Sequence, residues 1–278
     1  MGNHNSYHRL STAGLLITLG IIYGDIGTSP LYVMDAITGS NIIDRMTILG
    51  GVSLVFWTLT VQTTIKYVLL TLRADNNGEG GIFSLYTLVR RKDRWLKYPA
   101  IIGGAAMLSD GMITPPISVA SAVEGLESRY PHMPTVYIVI AIISLLFFAQ
   151  RFGTAAVGKG FGPIMFVWFS MLAVLGISQI AGNPGVIAAL NPWYGLELLL
   201  HSPNALFVLG AVFLCTTGAE ALYADLGHCG RANIKISWIF VKTCLVLTYL
   251  GQAAWLLKYE GQVRPMKTFY GVMPEWFV

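Results

Sequence analysis

Apolar residues in this chain arrive in blocks long enough to cross a lipid bilayer, with polar residues gathered mainly between them. A hydrocarbon core takes about 20 apolar residues per helix. Seven blocks are read as spans, at residues 10–37, 47–72, 98–124, 135–150, 154–181, 205–226 and 236–257. The fourth is the shortest. The chain is 54% hydrophobic and 12% charged, against about 25% charged in soluble domains. Its 30 Gly and 12 Pro would disrupt a soluble helical protein, whereas neighbouring helices in a membrane bundle re-satisfy the freed backbone groups. The expected fold class is therefore an all-α integral membrane protein. The first block is too long for a signal peptide and lacks a small-residue cleavage pattern, so it reads as the first span.

Basic residues set the expected orientation, because loops on the cytoplasmic side carry an excess of Lys and Arg. The connection between the second and third spans holds Arg73, Arg90, Arg91, Lys92, Arg94 and Lys97. With Arg9, Arg151, Lys159, Arg231 and Lys235, that side carries eleven basic residues. The other side carries five, namely Arg45, Arg129, Lys258, Arg264 and Lys267. The expectation is a multi-pass protein of the cell membrane with a cytoplasmic N-terminus and residues 258–278 outside. The formal charge of +4 does not suggest a nucleic-acid partner. An odd number of spans and an end in an outer loop lead to the expectation that this chain is part of a longer protein.

Three segments carry the chemistry. Residues 24–32 read Gly-Asp-Ile-Gly-Thr-Ser-Pro-Leu-Tyr in the middle of the first span. Pro30 has no N–H, so the Ile26 carbonyl loses its helical donor. Non-helical backbone persists at membrane depth only where it lines a cavity or site. Asp25 is an intramembrane carboxylate, which points to function; the structural alternative is a proline kink with a capping acid. In the third span Asp110, Thr114 and Ser118 fall four residues apart on one helical stripe. Pro115 and Pro116 lie between them. In the sixth span Gly218 interrupts the block, and Thr217 and Glu220, spaced i and i+3, are expected on one helical face. Two interrupted helices at matching positions of a five-plus-five arrangement are the best sequence pointer to a carrier site built from inverted repeats.

Carboxylates, hydroxyls and spare carbonyls are hard oxygen ligands suited to a group 1 or group 2 cation. A monovalent ion can be held largely by neutral oxygens, which leaves carboxylates free to carry protons. Three acids converging on one cavity could not all stay ionised without cations beside them. Glu220 is the first choice for the proton and Asp110 the alternative. Other signals fail. Residues 153–159 fit a phosphate-loop spacing, but Gly160 stands where Ser or Thr should be and no strand precedes it. Residues 75–80 begin like a calcium loop, but the twelfth position is Tyr86. No TVGYG filter is present. His228 has no second ligand at a metal-binding spacing, and Cys215, Cys229 and Cys244 form no CxxC pair. No cofactor is expected, and no nucleophile–base pair suggests an enzyme.

These motifs carry a resemblance. Residues 23–32, the stretch 73–81 (Arg-Ala-Asp-Asn-Asn-Gly-Glu-Gly-Gly), Ile113-Thr114-Pro115 with Ser118, and residues 220–228 closely resemble the KUP/HAK/KT family of potassium uptake permeases, bacterial branch. The resemblance implies the five-plus-five inverted-repeat fold of the amino acid–polyamine–cation superfamily. The first repeat would occupy about 10–181 and the start of the second about 205–257. It implies potassium–proton symport with alternating access around a mid-membrane cation site. Carried over position by position, Asp25, Tyr32, Asp110, Thr114, Ser118, Thr217 and Glu220 match the family's cation and proton residues. Asp110 stands where many relatives have Glu, which keeps the charge but shortens the reach. A homodimer is compatible with this reading. The alternatives are an amino-acid carrier on the same fold, which Asp25 at the break argues against, and a non-transporting fragment.

Overall fold

The computed structural model describes residues 10–39, 42–90, 94–127, 130, 133–150 and 154–274. Arg9, Arg91, Lys92, Arg129, Arg151 and Gly153, used in the sequence reading, lie outside them. The described residues are helical almost throughout, with one isolated two-residue bridge between Asn76 and Glu79. Among the described residues, five helices are long and apolar enough to cross a membrane, or six if the bent first pair is one span. The fourth expected span is the shorter apolar helix Thr135–Gln150, below spanning length by the same measure.

The first span is interrupted in the expected stretch, but its sharp bend falls at Tyr23, ahead of Pro30. Thr12–Ile22 and the following Gly24–Leu31 segment meet at 70°, and a further helix, Val33–Thr38, completes the span. Its start is capped by Ser11, whose Oγ accepts from the Gly14 N–H, a standard remedy for unpaired first-turn donors. The second span runs as an α-helix over Arg45–Thr58 and then widens to a π-helix over Leu59–Leu70. The third, Lys97–Glu127, stays continuous through Pro115 and Pro116. The fifth is Thr154–Gly182 and the seventh is Arg231–Leu256. The sixth is composite: Ala205–Phe213, then Leu214–Thr216, then Ala221–Ala224 and Leu226–Cys229.

The core lies where the first, fifth and seventh spans meet. Two glycines let the fifth and seventh approach: a Cβ on Gly251 would lie 2.5 Å from Gly176 Cα. Small residues serve this purpose in membrane bundles, where van der Waals contact replaces hydrophobic drive. Tyr23 and Trp238 stack with ring centroids 6.3 Å apart, and the Tyr23 hydroxyl donates to the Ile234 carbonyl at 3.1 Å.

Both ends of this core are tied. At one end the loop 73–81 forms a tight turn, with Asn77 and Gly78 at φ 54° and 87°, and docks on the sixth and seventh spans. Tyr223 donates to the Ala74 carbonyl, and Arg231 pairs with Asp75 at 2.6 Å. At the other end the chain after the seventh span folds back over the bundle. Arg264 pairs with the largely buried Asp35, which also accepts from the Thr268 N–H at 3.0 Å. Lys267 meets Glu124 at 2.6 Å, and the Tyr270 hydroxyl donates to the Ser121 and Ala122 carbonyls. Burial pushes that hydroxyl up to about 12. The connection between the fifth and sixth spans contains the helical segments Pro184–Leu190 and Pro192–His201.

Candidate cation site

The break of the first span is built from Gly24–Thr28 and the tight turn Ser29–Leu31. The Asp25 carbonyl accepts from the Ser29 N–H, from Thr28 Oγ1 at 2.9 Å and from Ser29 Oγ at 3.2 Å. The hydroxyls thus fold onto their own backbone, a habit of Ser and Thr near helix ends. Two neighbours hold further carbonyls. Trp168 of the fifth span donates its indole N–H to Gly27 O at 2.9 Å, and Gln252 of the seventh donates Nε2 to Pro30 O at 2.8 Å.

The break of the sixth span sits directly against it. Gly218 has φ 82°, and a Cβ there would lie 2.7 Å from Asp25 Cβ. Ser29 Oγ also reaches the Leu214 carbonyl at 3.3 Å. Thr217 has an extended ψ of 132°. Residues 217–220 are therefore not helical, and the expectation that Thr217 and Glu220 share a helical face is corrected: i, i+3 neighbours face together only where the helix is intact. Glu220 instead opens the short helix Ala221–Ala224 as its N-cap residue.

The third span supplies the opposite wall. Thr114 Oγ1 donates to Asp110 Oδ1 at 3.0 Å, as the four-residue spacing implied, and Ser118 Oγ lies 3.0 Å from Thr28 Oγ1. Asp25 and Asp110 are electrostatic neighbours, and Glu220 interacts with both. Tyr32, at the end of the tight turn, lies beside Ser29 and close to Asp25 and Asp110. Tyr67 on the widened second span adds a phenol beside Glu220. Asp25, Tyr32, Asp110, Thr114, Ser118 and Glu220 thus gather around one junction, and Thr217 adjoins it through its chain neighbour Gly218. The arrangement offers carboxylate, hydroxyl and backbone oxygens, which are ligands for a hard cation.

Several neighbours of this junction escaped the sequence reading. Trp168 and Gln252 come from spans read only as apolar blocks. A lone Gln in an apolar span was a usable signal, but nothing local names its partner. The carboxylate Asp35 was equally visible, yet its partner Arg264 is 229 residues away. An open cavity of about 440 Å³, lined by Asp75, Gly78, Leu226, Gly230, Arg231 and Lys235, lies at the docked loop and not at the three carboxylates.

Residues 12–278 match the K+ potassium transporter integral membrane domain. A probable potassium transport system protein Kup of Cytophaga hutchinsonii is 63% identical over 99% of this chain and 43% of its own length. Its namesake in Flavobacterium psychrophilum is 60% identical over 99% of the chain and 43% of the relative. A putative Kup 1 of Lactococcus lactis subsp. cremoris is 51% identical over 98% of the chain and 43% of the relative. The chain therefore spans less than half the length of these relatives, which are named as transport proteins and not enzymes. No solved structure matches it. On a family match that runs nearly its whole length, this chain is an integral membrane protein that belongs to the K+ potassium transporter family.

Proposed function

We propose that the protein takes up potassium by proton-coupled symport, with alternating access around the junction of the first and sixth spans. The observation that carries the reading is the contact between the two broken spans: Gly218 leaves room for Asp25 and for no side chain of its own. Opposed half-helices with an acid between them supply backbone dipoles, free oxygens and one charge at membrane depth, which is how secondary carriers bind ions. In this reading Asp25, Tyr32, Asp110, Thr114, Ser118 and Thr217 bind potassium. Glu220 carries the proton, with Asp110 as the alternative, because a second and third acid beside Asp25 exceed the charge of one monovalent ion. The bent first span and the composite sixth span support the five-plus-five inverted-repeat fold, with a first repeat at about 10–181 and the start of a second at about 205–257. The orientation follows the basic loops, with the N-terminus cytoplasmic.

The test is rubidium uptake by vesicles carrying the protein expressed from its complete gene, under an imposed proton gradient. The parent accumulates rubidium. Glu220→Gln mimics the protonated acid permanently, so it exchanges potassium across the membrane without concentrating it. Accumulation by Glu220→Gln equal to the parent's would remove the proton role from Glu220.

A further inference from the structure

We infer that Gln252 of the seventh span is a positioning residue for the cation site: its amide fixes the Pro30 carbonyl and thereby sets which oxygens of the first break face the ion. Gln252 is fully enclosed, with 0% of its surface exposed. Burying a primary amide in an apolar span is costly unless its groups are paired. Here one half is paired and one is not. Nε2 donates to Pro30 O at 2.8 Å, while Oε1 has no hydrogen-bond partner among the described residues. The orientation is forced, because turning the amide over would set oxygen against oxygen. A Gln kept at the expense of an unpaired acceptor is a poor choice for packing alone; a Leu or Met of similar volume fills the space without it.

The local backbone gives the amide its use. Pro30 lies in the tight turn Ser29–Leu31, between the helix carrying Asp25 and the helix Val33–Thr38. The Asp25 carbonyl is taken by Ser29 and Thr28, and the Gly27 carbonyl by Trp168. With Pro30 O held by Gln252, these three carbonyls are committed elsewhere. The Ile26 carbonyl is different, since Pro30 has no N–H to offer it. The break therefore presents a restricted set of oxygens, and two side chains from the fifth and seventh spans enforce the restriction. A cation site discriminates through the number and direction of its oxygens, so freeing Pro30 O should alter affinity and selectivity together. Tyr249, one turn before Gln252, lies near Tyr32, which extends the same support along the seventh span. The inference rests on the proposal that the cation sits at this break.

The experiment measures potassium and rubidium uptake by the protein from its complete gene, in cells lacking other potassium uptake. Gln252→Leu removes the donor together with the unpaired acceptor. Its KM for potassium should rise about five- to tenfold, the worth of one buried hydrogen bond, and its rubidium-to-potassium preference should shift at an unchanged amount of protein in the membrane. Gln252→Glu can donate to Pro30 O only when its carboxyl is protonated. Its KM relative to the parent's should be near one in acid and climb as pH rises. A parental KM and selectivity in Gln252→Leu would overturn the inference, as would a fall in maximal rate that merely tracks protein amount. If Gln252→Leu does not reach the membrane, a pH-independent KM ratio in Gln252→Glu overturns it. Asp25→Asn is the control for the underlying reading: parental uptake in that variant would refute the site itself, and the role of Gln252 with it.

Discussion

Replacing Gly218 by Ala perturbs a point where the two broken spans touch. Two costs follow from the structure. At φ 82° an L-residue meets its own carbonyl, at about 1–2 kcal/mol. The new methyl would also lie 2.7 Å from Asp25 Cβ and 3.3 Å from Ile26 N, whereas carbon atoms settle at about 3.5–4.0 Å. Relief requires the two breaks to part by roughly 1 Å, which moves Asp25 away from the sixth span. The strain alone corresponds to about a 5- to 30-fold weaker site if the bound state bears it. Initial rates of rubidium uptake across a potassium series give the KM, and thermal melting in detergent monitors the fold. The expected result is a KM raised at least about tenfold. Gly210→Ala, in the same span with open space around its Cβ position, should behave as the parent. A parental KM in Gly218→Ala would refute the claim that contact between the breaks shapes the site.

Three further predictions concern the ends of the bundle. A Cβ on Gly80 would lie 1.8 Å from the Tyr223 carbonyl, so Gly80→Ala should undock the loop 73–81 and lower the melting temperature, read by fluorescence-monitored unfolding in detergent. Arg264→Gln strands the largely buried Asp35, which should destabilise the protein by up to about 3–5 kcal/mol; the matched double variant Asp35→Asn/Arg264→Gln should recover much of that loss in the same assay. A single cysteine at Asn77, in a chain whose three native cysteines are replaced, should resist membrane-impermeant reagent in sealed right-side-out cells. Labelling there would reverse the orientation.

Local chemistry made much of the bundle legible in advance. The tight turn Ser29–Leu31 follows from Pro30, which has no donor, and the break at Gly218 from a residue tolerant of positive φ, whereas the 70° bend at Tyr23 lies ahead of the proline. The Asp110–Thr114 bond follows from helical spacing alone. The Thr217–Glu220 spacing misled because it assumed helix across the very residue that interrupts it. What stayed hidden depends on contacts between distant segments. Gln252 and Pro30 are 222 residues apart, Asp35 and Arg264 are 229 apart, and periodicity within one span carries no information about the facing side chain. The loop 73–81 was visible as a motif, but its docking depends on Tyr223 and Arg231, and neither the motif around Tyr223 nor the basic charge of Arg231 named that partner.

The measurement that bears most directly on the central claim is rubidium uptake by Asp25→Asn under an imposed proton gradient, alongside the parent at equal membrane abundance. Asparagine keeps the shape of the side chain and removes its charge. Asp25 adjoins both breaks and neighbours Asp110, so a cation held at this junction loses its nearest countercharge. Uptake should fall to a small fraction of the parent's across the potassium series, with melting in detergent unchanged. Near-parental uptake by Asp25→Asn would contradict the account and leave Asp25 as a helix-capping acid at a proline kink.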